Sequence, residues 1–268
     1  MADLLFEKRG PVAWLTINRP ARKNTFTCET FVLLADAWDE IARDSDIRVA
    51  VLTGSGDRVF SAGADLGELI PLYTGAKSPA TEQEQRFLAD PDIMERAFLK
   101  QGHCDKPIVA AINGLALGGG MELLQCTDIR IAADHASFGL PEVKRGIVPG
   151  AGSLVRLIRQ LPHARAMEML LTGNTYSAGQ LYDWGFLNDV VPGDELLARA
   201  DALAHSLCDN GPLAQQAIKE CVRASQGCSW EQAFALERTL SARVMASEDA
   251  REGPLAFLEK RKPHYWGR

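Results

Sequence analysis

The chain has 268 residues, 46% apolar and 24% charged, with a net charge of −6. That length supports a full hydrophobic core without staples, and no apolar run approaches a membrane span. The acidic balance gives no general attraction to nucleic acid or anionic membranes. Six cysteines lack CxxC pairing or a zinc-like His spacing, so reduced thiols and no bound metal are expected. The first residues lack the apolar stretch and cleavage site of a signal peptide, which favours a cytoplasmic protein.

Along the chain, Val12 and Trp14 alternate with Ala13, Leu15 and Ile17, and Pro20 stops the run: a strand and a turn. Phe31, Leu34, Trp38 and Ile41 share one face of a helix of about four turns. RVAVLTG (48–54) is a second strand, and strand, helix, strand implies layered α/β architecture. PIVAAIN (107–113) reads as a buried strand, GLALGGG as a turn, MELLQC as a helix and DIRIAA as another strand. Residues 67–105 are mixed and polar; SPATEQEQ predicts a mobile stretch, and the whole segment a cover over a pocket. From about residue 154 the pattern is mostly helical, with stripes at Leu196, Ala200, Leu203, Leu207 and at Ala233, Leu236, Leu240, Val244. Ser229 and Gln232 have capping-box spacing.

Two glycine-rich turns, FSAGADL (60–66) and GLALGGGMEL (114–123), each follow a strand. Glycine allows close backbone approach, and two N–H groups converging on one point would bind a carbonyl oxygen that becomes negative. Glu122 lies in the first turn of the following helix; Glu142 comes 20 residues later in FGLPEVKRGIVPG. Two carboxylates with separated pKa values can act as base for water and acid for carbon. Taken singly, each feature also has an ordinary reading: a tight turn, a complement to the helix dipole, or a solvated first-turn residue. There is no phosphate loop, HExxH pair or GxSxG elbow. PGAGS (149–153) resembles part of a dinucleotide fingerprint, but Val155 stands where its last glycine belongs.

Taken in order, FSAGADL, NGLALGGGMEL, FGLPEVKRGIVPGAG and EGPLAFLEKRKP resemble the successive signatures of the crotonase (enoyl-CoA hydratase/isomerase) family over nearly the whole chain. The resemblance implies an α/β fold, a spiral of repeated ββα units over residues 1–200, with a C-terminal helical trimerisation region at 201–268. It implies self-association as a trimer or a hexamer, an acyl-CoA thioester as substrate, and no cofactor beyond the coenzyme A of that substrate. By resemblance, the amides of Ala64 and Gly119 form an oxyanion hole, with Ala62, Asp65 and Leu66 in the same substrate-binding turn. Glu122 and Glu142 match the two family glutamates, and having both favours hydration of a trans-2-enoyl-CoA, or dehydration, over isomerisation; an isomerase, a carnitinyl-CoA dehydratase-like enzyme and a non-catalytic CoA-binding member are the alternatives. Gly150 matches a glycine whose backbone lies near the water. Phe257 and Lys260, and secondarily Arg22 and Lys23, match positions near the nucleotide end of coenzyme A. Three departures bear on the acyl group: the 39 residues between Leu66 and Lys106, Arg145 where an apolar residue is common, and Ser153 in place of glycine.

Overall fold

The computed structural model describes residues 2–100 and 104–268. A hairpin opens the chain: β1 (Leu4–Arg9) pairs antiparallel with β2 (Val12–Ile17). Next come α1 (Cys28–Arg43), β3 (Val49–Gly54) and β4 (Val59–Ser61). Three short helices follow: α2 (Leu66–Tyr73), α3 (Glu82–Ala89) and α4 (Ile93–Ala97). The next repeat is β5 (Ile108–Ile112), β6 (Leu115–Leu117) and α5 (Gly119–Leu124). Then come β7 (Ile129–Ala133), β8 (Ser137–Gly139) and a 3-10 turn over Pro141–Arg145. Beyond it lie α6 (Ser153–Gln160), α7 (His163–Thr172), β9 (Thr175–Ser177), α8 (Ala178–Asp183) and β10 (Asp189–Val191). The chain ends in α9 (Leu196–Cys208), α10 (Pro212–Ala224), α11 (Trp230–Met245) and α12 (Asp249–Leu258).

The strands form two sheets, ordered β1-β2-β3-β5-β7-β10 and β4-β6-β8-β9. Each successive pair, β3–β4, β5–β6 and β7–β8, gives one strand to each sheet, and the intervening helix carries the chain to the next parallel position. This is the expected spiral. The sharp step between sheets explains the glycine at its corner: a Cβ on Gly114 would lie 2.1 Å from the Arg58 carbonyl oxygen. Asn113 locks the same corner, accepting from the Gly54 amide (3.1 Å) and donating to the Gly56 carbonyl (2.8 Å).

Strand alternation divides the large sheet's faces between two cores. Ala13, Leu15, Ile17, Ala50, Leu52, Ile108, Ala110 and Ile112 face the main core shared with α1, while Val12, Trp14, Val49, Val51, Val109 and Ala111 face Leu196, Ala200 and Ala204 of α9. The α1 stripe is buried at all four expected positions. Its helix is capped by a reciprocal box between Thr27 and Thr30. Ser229 and Gln232 make the anticipated box at α11.

Several expectations need correction. The GLALGGG turn contains β6, because its short Leu-Ala-Leu run pairs with β4 and β8. The region after 154 is mostly helical, as expected, and two three-residue strands in it, β9 and β10, extend the two sheets, too short to show periodicity. SPATEQEQ leads from exposed coil at 78–80 into a capped helix. Thr81 accepts from the Glu84 amide (3.1 Å) and Glu84 accepts from the Thr81 amide (3.2 Å), starting α3, whose Phe87 stacks on Phe31. The Trp38 indole donates to the Ala97 carbonyl at 3.0 Å, anchoring α4 to α1. Within 67–105, α3 and α4 pack on α1, residues 74–80 are exposed and non-helical, and residues 101–103 lie outside the described residues. Residue 200 lies within α9, which packs on the large sheet, and α10 to α12 follow it.

Candidate active site

The 61–66 and 118–120 turns meet where β4 and β6 run side by side. Gly63, at φ +86°, approaches so closely that a Cβ there would lie 2.9 Å from the Gly119 nitrogen; a Cβ on Gly120 would lie 2.3 Å from the Ser61 carbonyl oxygen. Ala64 forms a parallel bridge with Phe26, in which Phe26 donates to the Gly63 carbonyl (2.9 Å) and Asp65 donates to the Phe26 carbonyl (2.8 Å). Neighbouring amides alternate in direction along extended chain, so the Ala64 N–H points away from Phe26. Gly119 is the first residue of α5, where helix geometry supplies its N–H with no acceptor.

Around this turn, Asp65 binds Arg19 (3.1 Å) and Thr25 (3.2 Å) and lies 3.7 Å from Arg22. Burial alone would raise its pKa, but these donors and the Arg19 and Arg22 charges hold it below the usual carboxylate range. Asp65 therefore braces the turn. Lys23 sits in left-handed backbone (φ 54°) and accepts the Ala62 amide at 3.0 Å. Arg22 is largely exposed beside Asp65, and Leu66 opens α2 exposed. Sequence positions 22–23 and 62–66 are thus brought together.

Glu122 is 4% exposed in the first turn of α5. Its Oε1 accepts from the Ala151 amide (2.8 Å) and the Ser153 amide (3.2 Å). Burial raises its pKa, partly offset by those donors and by the Lys100 charge. Glu142, in the 3-10 turn, reaches the other glycine turn: its Oε1 lies 2.9 Å from the position of a Cβ on Gly118. Its Oε2 is buried without a hydrogen-bond partner among the described residues. Burial pushes the Glu142 carboxyl up, as does the Glu122 charge, while Arg145 and its own amide pull the other way. One carboxylate is held by fixed donors; the other presents an unsatisfied oxygen. An asymmetry of this kind is one way for two carboxyls to take different roles in proton transfer.

The enoyl-CoA hydratase/isomerase family model matches residues 7–268. The chain belongs to the enoyl-CoA hydratase/isomerase family. Enoyl-CoA hydratase EchA19 of Mycobacterium tuberculosis is 38% identical over 99% of this chain and 97% of its own length. A carnitinyl-CoA dehydratase of Salmonella arizonae is 39% identical over 99% and 98%. A solved enoyl-CoA hydratase/isomerase structure from Mycobacterium abscessus superposes with a TM-score of 0.88 at 43% identity, covering 99% of this chain and all of that one.

Within this family member, the expected residues divide into two groups. Ala62, Ala64, Asp65, Leu66, Gly119, Arg22 and Lys23 surround the meeting turns, and Glu142 touches them through Gly118. Gly150 is exposed, and its peptide with Ala151 carries the N–H that holds Glu122. Phe257 stands apart: it is 82% exposed at the end of α12, which packs on α11, and Lys260 follows it in left-handed backbone. A single chain presents both to solvent. Sequence reasoning missed the Ala151 amide and the Lys100 and Arg156 contacts behind it. Only PGAGS marked the first, as a glycine turn leading into α6; the other two had no signal.

Proposed function

We propose that the protein hydrates a trans-2-enoyl-CoA reversibly to a 3-hydroxyacyl-CoA. The observation that carries this reading is the pair of buried glutamates in unlike hydrogen-bonding environments beside two close-packed glycine turns. Glu122, whose charged form is favoured by two backbone donors, takes the proton from water. Glu142, raised by burial and by Glu122, gives its proton to the α-carbon. The Ala64 and Gly119 amides receive the thioester oxygen as it gains charge; each such donor is worth about 3 kcal/mol of barrier. The chemistry needs acid, base and oxyanion donors and no redox cofactor. Dehydration by the same groups is the reverse reaction, and the likeness to a carnitinyl-CoA dehydratase makes that direction a natural comparison.

The exposed apolar residues Ile218, Val222, Trp230, Met245, Phe257 and Leu258 on α10 to α12 support assembly as a trimer or hexamer, which would also bring Phe257 and Lys260 to a neighbour's nucleotide site. Free cysteines and the absence, among described residues, of any helix long and apolar enough to cross a membrane fit a cytoplasmic location.

Loss of the conjugated enoyl absorbance, with crotonyl-CoA beside longer and branched thioesters, tests the reaction. Glu142→Gln should lower kcat about 10³-fold with little change in thioester affinity. Full turnover by that variant, or no hydration of any analogue by the native protein, would refute the assignment.

A further inference from the structure

The Gly150–Ala151 peptide is held from both ends. Its N–H donates to Glu122 Oε1 at 2.8 Å, while its carbonyl accepts from Lys100 Nζ at 3.0 Å. Because the peptide is planar, fixing the direction of the carbonyl fixes that of the N–H. A cation on the carbonyl oxygen also polarises the amide and strengthens the N–H as a donor.

Lys100 comes from the layer of short helices, not from the spiral that carries the glutamates. After α4, Leu99 adopts φ 48°, a left-handed conformation that strains a residue carrying a side chain. The Lys100 amide then donates back to the Glu95 carbonyl at 2.8 Å. Arg156 of α6 fastens this turn with a fork, donating to the Phe98 and Leu99 carbonyls, each at 2.8 Å. The Cys126 thiol, just past α5, donates to the same Phe98 carbonyl at 3.0 Å. The strained turn is therefore tied to both segments that build the Glu122 environment, and it aims Lys100 at Gly150. An ordinary surface pair with Glu95 describes Lys100 less well: that carboxylate is 3.6 Å away, farther than the Gly150 carbonyl, and the lysine side chain is 30% exposed.

We propose that Lys100 is a positioning residue for Glu122, orienting and polarising the Gly150–Ala151 peptide that holds the carboxylate in place for water activation. The catalytic consequence rests on the hydration reading; the effect on Glu122 itself does not. Among the described residues, the charged and titratable groups around Glu122 are Glu142 from the 3-10 turn, Cys126 beyond α5, Arg156 of α6 acting on Cys126, and Lys100. Burial raises the Glu122 pKa; the Ser153 and Ala151 amides and the Ser153 hydroxyl lower it, and the Lys100 charge acts in the same direction.

The experiment compares the native protein with Lys100→Met and Lys100→Arg. The Glu122 carboxyl is titrated by 13C NMR of glutamate-labelled protein, its signal assigned by its loss in Glu122→Gln, beside pH profiles of hydration. In Lys100→Met the Glu122 titration moves to higher pH, and the acid limb of kcat/KM moves with it. Its kcat falls about tenfold below pH 7 with KM little changed, and Lys100→Arg restores both readouts. A Glu122 titration unmoved in Lys100→Met, or Met and Arg variants that behave alike, would overturn the proposal. If the native protein hydrates no enoyl thioester, the reaction assignment fails, while the carboxyl titration still decides whether Lys100 controls Glu122.

Discussion

Around Glu122, the fixed donors come from the same chain, whereas α10 to α12 leave Trp230, Phe257 and Leu258 more than three-quarters exposed. The first region is finished by one chain; the second offers apolar surface that one chain does not cover. The buried glutamate pair should therefore respond to changes in local backbone, and the helical layer to changes in association.

The largest effect should come from the glycine contact under α5. Gly120→Ala forces a Cβ to within 2.3 Å of the Ser61 carbonyl, a backbone atom that must move. We expect a loss of about 3 kcal/mol in unfolding free energy, read by denaturant titration, together with loss of turnover. Wild-type stability in that variant would show that the two turns are looser than the geometry indicates. An intermediate effect should follow from Trp230→Ser with Phe257→Ser: the sedimenting mass falls towards that of one chain while the circular dichroism of the folded state is retained. An unchanged mass would place the association surface elsewhere.

The smallest effect concerns Glu142 and stability rather than catalysis. Its folded pKa is raised, so the stability associated with its protonated form is full below the ordinary carboxylate range and is lost as pH rises through the folded value. Glu142→Gln removes that loss and should be more stable than the native protein at pH 7, with the advantage vanishing near pH 4. Equal denaturation midpoints at both pH values would mean that substrate-free Glu142 is not penalised by its surroundings.

The elements most legible from residues alone were those whose side chains repeat against a continuous core: β2, β3, β5, α1 and the α9 stripe. Those missed were short, such as β9 and β10, or were marked only by a cap, such as α3 with its Thr81 and Glu84 box. Both glutamates and both glycine turns were readable because their chemistry demands particular residue types in a family order. The sequence by itself determined the spiral, the carboxylate pair and the family. Tertiary structure alone decided that an Ala151 amide holds Glu122, that Glu142 keeps an unsatisfied oxygen, and that Lys100 reaches Gly150 across 50 residues of chain. The physical reason is that any residue can lend a backbone N–H or carbonyl, so side-chain identity carries no mark of which amide will face a buried charge.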